Sequence, residues 1–123
     1  VGDVMDILYT IPEYKDSASN NAGPKLIKGD NSNTAGKIFV DMTGGTEGSR
    51  DIFPKLSQAG VGTLICMHLS EAHFKKAKAE SMNIIIAGHI SSDNIGLNIM
   101  LDEILKGTKI EIVPCSGFKR IKR

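Results

Sequence analysis

The sequence predicts an α/β fold with a mostly parallel sheet and helices on both faces, and three observations carry that prediction. Two apolar runs, Gly62–Met67 (GTLICM) and Asn83–Ala87 (NIIIA), are short and continuous rather than alternating, as strands buried on both faces are. The segments between and after them carry apolar residues at helical spacing, bounded by Ser70, Gly60 and Gly107 as start and stop signals. Strands that alternate with helices of this length call for crossovers laid on the faces of a parallel sheet.

In chain order, Gly2 to Tyr9 reads as a short helix with Asp3 near its start and Val4, Ile7 and Leu8 on one face, which Pro12 interrupts or restarts. Asp16 to Pro24 is polar and rich in turn formers, so a boundary near Gly23 divides residues 1–23, a helical lead-in and polar connection, from an α/β domain at 24–123. Lys25–Lys28 and Lys37–Asp41 read as strands joined by GDNSNTAG into a hairpin. After the loop MTGGTEG, Ile52, Phe53 and Leu56 give Arg50–Ala59 a helical stripe, with Pro54 near the tolerant first turn. Ser70–Glu80 is a helix with Ser70 as its cap. Ser92–Leu105 is another, capped by Ser91 or Ser92, with Asp93 in its first turn and Ile95, Leu97, Ile99, Leu101 and Ile104 forming a wide apolar face. Lys109–Val113 (KIEIV) alternates as a fourth strand of this series.

At 123 residues the chain bounds one domain, and a start at Val1 rather than Met suggests a fragment, a processed product or a trimmed chain. Fifteen Lys and Arg against 14 Asp and Glu leave no net field to favour nucleic acid or an anionic membrane. The terminal KRIKR reads as a charge-guarded edge or a phosphate patch, and no aromatic residues interleave with it as a nucleic-acid platform would want. No run approaches the roughly 20 apolar residues of a membrane span, and no signal-peptide pattern opens the chain. Cys66 and Cys115 form no CxxC pair and are expected as reduced, unligated thiols of a cytoplasmic protein.

Ligands of an open parallel sheet bind beyond the carboxyl ends of its strands. Three strands end in chemically useful residues: Asp41 leads to Thr43, Gly44 and Gly45, Met67 to His68, and Gly88 to His89 and Asp93. His89 and Asp93, four apart, offer imidazole and carboxylate to zinc, manganese or iron, or else serve the helix start alone. His68 adds a third ligand or an acid–base group near neutral pH. The loop holding Thr43, Gly44 and Gly45 offers backbone N–H groups to a phosphate but lacks a Walker ending or a full GxGxxG; its alternative is a turn that needs glycine. His73 reads as a surface histidine, and Glu47 and Asp51 as acids favouring the next helix start.

The order KIFVDMTGGTEG, GVGTLICMHLSEAH, NIIIAGHISSDNIGLN and IEIVPCSGFKRI resembles the carboxyl-terminal half of the Nif-three-like family (NGG-one-interacting factor three), some of whose members are labelled GTP cyclohydrolase 1 type 2 homologues. The resemblance covers most of Lys37 to Ile121. It implies one half of a two-half α/β fold, a two-metal site in the cleft between the halves, and homo-oligomers. His89 falls on the family's metal histidine and Asp93 on the acid after it, while His68 resembles a histidine beside the cleft, with an acid–base role. Asp93 replaces the usual Glu and is shorter by one methylene. The family's His-His-Pro segment and the acid of the amino-terminal half have no counterpart here, so the missing partner is that half, and this chain alone is expected to hold divalent metal weakly or not at all. The implied activity is metal-dependent hydrolysis of a nucleotide-like or phosphorylated substrate. The alternative is a non-catalytic regulatory or scaffold protein in which metal serves fold or assembly.

Overall fold

The computed structural model describes residues 1–44 and 47–123. Its centre is the two apolar runs, β3 (Val61–Cys66) and β4 (Asn83–Ile86), which pair in parallel with Leu64, Ile84 and Ile85 almost wholly covered. Alternation along these strands sends neighbouring side chains to opposite faces. Ile65 and Ile85 meet Leu8 of α1 (Gly2–Thr10) and Tyr14 of α2 (Pro12–Ala18) on one face. On the other, Leu64, Cys66 and Ile84 meet Phe53 of α3 (Ile52–Gln58) and Phe74 and Ala77 of α4 (Glu71–Ala79). Helices thus cover both faces, and the core is two-layered around the sheet.

The remaining strands are β1 (Lys25–Lys28) and β2 (Lys37–Asp41), and the order is β1-β4-β3-β2. The expected hairpin does not form: β2 runs parallel to β3, and β1 pairs antiparallel with β4 at the opposite edge. The sheet is still mostly parallel. KIEIV is not a strand either. β1 already occupies the free side of β4, and the chain beyond α5 (His89–Ile104) lies along that helix instead. Its anchors are polar. Asn98, fully buried, donates to Glu13 Oε1 and Lys119 O, each at 3.0 Å, and accepts from Ile121 N at 3.0 Å. Arg123 binds both Glu13 oxygens, and Arg120 pairs with Asp102. Burial raises the Glu13 carboxyl, but its bonds to Arg123 and Asn98 outweigh that and leave it below the usual value. The basic ending is therefore partly internal, with Arg120 and Arg123 paired to acids rather than displayed as an edge or an anion patch.

The last helix also departs from the sequence reading. It begins at His89, directly after Gly88 at φ +101°, and neither Ser91 nor Ser92 caps it. Both hydroxyls instead donate back to the Gly88 carbonyl, at 3.4 and 2.6 Å. Its covered residues are Ser91 and Asn98, whereas Leu97, Ile99 and Ile104 face outward and Ile95 and Leu101 are half-buried. No helix among the described residues is long and apolar enough to cross a membrane.

Candidate functional site

Parallel pairing puts the ends of three strands side by side, since Asp41 lies opposite Cys66 and Cys66 opposite Ile86. The turns that follow deliver the expected residues to one edge of the sheet. His68 leaves β3 and His89 leaves β4, and their rings stack nearly parallel with centroids 5.1 Å apart and 12° between planes. One helical turn on, Asp93 brings Oδ2 to 3.3 Å from His89 Nε2. That pair is about half exposed, so its own attraction contributes little to stability. The pair brings together two donor atoms of types that metals take, at the protein surface.

His68 differs from its neighbour. Its Nδ1 is buried and finds no hydrogen-bond partner among the described residues, an arrangement that costs free energy unless another group reaches it. The His68 ring stands between two spaces. On one side is the His89–Asp93 pair; on the other is a small cavity of about 50 Å³ lined in part by Asp41, Thr43, Glu47 and His73. His89 itself also borders a larger cleft of about 370 Å³ between α2, the first turn of α5 and the chain at Gly117–Ile121. Among the described residues no three His, Cys, Asp or Glu side chains are grouped so as to hold a metal ion. The donor set fits half of a divalent site.

The glycine loop stands apart from this pair. Thr43 lines the small cavity, and its N–H is already given to Asp41 Oδ1 at 3.0 Å, one fewer donor for a phosphate. Among the described residues nothing lies within 4 Å of where a Cβ on Gly44 would stand. Gly45 lies outside the described residues.

His73, read as a surface residue, is instead the clasp of this region. It lies on α4 whereas His68 precedes that helix, so the two do not diverge around one helix but line the same cavity. Its Nε2 donates to Gly48 O at 2.8 Å, and its Nδ1 meets Glu47 Oε2 at 2.7 Å and Ser70 Oγ at 2.9 Å. Ser70 Oγ accepts the His73 N–H, as a helix cap should, and Ser70 N donates to Glu47 Oε1. Burial works to raise the Glu47 carboxyl, but the Ser70 hydrogen bonds and the nearby His73 and His68 hold it below its usual value. The signal available in sequence was the Ser70–His73 spacing, which puts a polar side chain three residues after a cap. Cys66, at the end of β3, is buried, and that burial, with Asp41 and Glu47 nearby, pushes its thiol up to about 12 and so away from the reactive thiolate.

The chain is similar over 95% of its length to a solved NIF3 superfamily protein from Sphaerobacter thermophilus, with 28% identity and a TM-score of 0.74. It spans 42% of that protein's chain, well under two thirds of its length. No family model matches the sequence, and no curated protein matches it.

Proposed function

We propose, on the premise that this chain carries the α/β fold of part of a NIF3 superfamily protein over nearly its whole length, that it contributes His89 and Asp93 to a divalent two-metal centre completed by the amino-terminal half of the same protein. The observation that carries the proposal is the convergence of His89 Nε2 and Asp93 Oδ2 at the exposed end of the parallel strands. An imidazole and a carboxylate suit zinc, manganese or iron, and two ligands alone bind weakly. Asp93 is already within reach of the histidine nitrogen from the next helical turn, so the shorter acid fills its place in this pair.

The activity that follows is hydrolysis of a nucleotide-like or other phosphorylated substrate. A bound metal would supply Lewis acidity and a more acidic water. This chain's own part is positional. The His68 ring, stacked flat on His89, fixes the plane of that imidazole, and its buried, unpartnered Nδ1 is the group available to hold or move a proton beside the pair. A regulatory or scaffold role, with metal serving assembly of a homo-oligomer, is the competing reading. Phosphate binding at the Thr43–Gly48 loop ranks below both, because Asp41 engages Thr43 and Glu47 stands in the same cavity.

The test uses the natural protein with both halves present. Elemental analysis should find divalent metal in wild type and little in His89→Ala or Asp93→Ala. His68→Ala should retain metal and lose metal-dependent phosphate-ester hydrolysis. Metal retained with no turnover in wild type favours the scaffold, and equal metal in all variants removes the assignment.

A further inference from the structure

α5 is amphipathic in the wrong sense for the chain as it stands. Its covered face carries Ser91, 5% exposed, and Asn98, 0%, whereas Ile90, Leu97, Met100 and Ile104 are exposed to 72%, 37%, 49% and 56%. These four fall at alternating spacings of three and four if Asp93 is counted between Ile90 and Leu97, which is the spacing of a helix seam that meets another helix. A run of this kind on one face of one helix is unlike the isolated apolar residues scattered over most protein surfaces. Gly96 is a second, independent sign. It lies in the middle of the same helix, exposed, with nothing within 4 Å of where a Cβ would stand, so no packing in this chain repays its poor helix propensity. It flanks the seam, one position before Leu97, where the missing side chain leaves room for another helix backbone to approach.

We infer that the Ile90–Ile104 face of α5 is the docking surface for an amphipathic helix of the missing amino-terminal half, crossing closest at Gly96. The inference rests on the proposed shared metal centre. Two features choose this occupant over a second copy. Asp93 is itself a seam residue and His89 adjoins the first seam position, so a segment lying along the seam ends beside the incomplete ligand pair and can bring further ligands to it. A second copy laid antiparallel along the seam would instead put the two ligand pairs at opposite ends of the interface, roughly 20 Å apart at 1.5 Å per residue. The similar solved protein also carries more than half of its length outside the region this chain matches.

Maleimide labelling tests this in the full two-half protein and in the present chain. Both carry Cys115→Ser, which in the present chain leaves only the buried Cys66 thiol as background, and in the two-half protein any cysteine of the other half is also replaced by serine. Met100→Cys reports the seam, and Lys75→Cys, on the exposed side of α4, is the control. The present chain should label equally fast at both positions. In the two-half protein Met100→Cys should slow at least tenfold while Lys75→Cys is unchanged. Equal rates at Met100→Cys in the two proteins overturn the inference, as does protection in the present chain that grows with its concentration, the signature of a second copy. Gly96→Leu should raise the thermal midpoint of the present chain by about 3 °C yet restore labelling of Met100→Cys in the two-half protein. Protection that survives Gly96→Leu overturns the close crossing. Metal content of the same samples separates the two readings: a protected seam without metal keeps the docking surface and removes the metal centre, and bound metal with an unprotected seam overturns the docking surface.

Discussion

Two strand-to-helix turns leave neighbouring parallel strands, and they are finished in opposite ways. The turn from β3 to α4 is closed. Ser70 caps the helix, and His73 ties Ser70, Glu47 and Gly48 together. The turn from β4 to α5 is open: Gly88 starts the helix with no side-chain cap, the nearby serines bond backward to Gly88, and His89 and Asp93 stand half exposed. Both turns present a histidine beside a carboxylate, His73 with Glu47 and His89 with Asp93, yet only the second leaves donor atoms available to a ligand. Whether a titratable pair at a strand end has atoms to offer a ligand therefore depends on whether its remaining bonds are already made.

The largest effect on stability is expected at Gly88. A Cβ there would lie 2.9 Å from Ser91 Oγ and 3.3 Å from Ala22 O, at a φ of +101° that side chains avoid. Gly88→Ala should therefore cost about 2 kcal/mol, read as a lower urea midpoint at unchanged slope. An unchanged midpoint would mean that the open turn is not held by this glycine. Ser70→Ala removes the cap of the closed turn and should cost about 1 kcal/mol, measured the same way. A loss below a few tenths would reduce the contrast to one of appearance.

The next difference is in acid. Glu47 is held below its usual value of 4.5, so its contribution is fully present above that pH and is lost as pH falls through the lower, folded value. Wild type should lose stability on acidification relative to Glu47→Gln, and the two should converge once the carboxyl is protonated in both states. Parallel pH profiles would contradict the clasp. The smallest effect belongs to the open turn: His89→Ala and Asp93→Ala should each change stability by no more than about 0.5 kcal/mol, because exposed ion pairs contribute little.

What could be read from the sequence follows the same division. The buried runs at Gly62–Met67 and Asn83–Ala87 announced parallel strands by continuity alone, and with them the edge where His68, His89 and Asp93 meet. Pairing between distant segments was not legible. Lys25–Lys28 and Lys37–Asp41 are near in sequence, but β1 and β2 lie at opposite edges because the two more apolar strands take the centre. KIEIV has the alternation of a strand, yet Asn98, Asp102 and Glu13 hold the chain that follows it against α5, through bonds that span 21 to 110 positions of sequence. Ser91 looked like a cap because its residue type fits one; the positive φ of Gly88, which starts the helix earlier, is a backbone fact that residue type only permits. The His73 clasp needed Glu47 and Gly48 brought back across a loop, and only the Ser70 half of it was local.

The most direct test of the contrast is metal content in the protein with both halves, compared across the two turns. Wild type and His73→Ala should carry the same divalent metal per chain, while His89→Ala and Asp93→Ala should lose most of it. Metal lost in His73→Ala but kept in His89→Ala would contradict the account, because the closed turn would then hold the ligand and the open one would not.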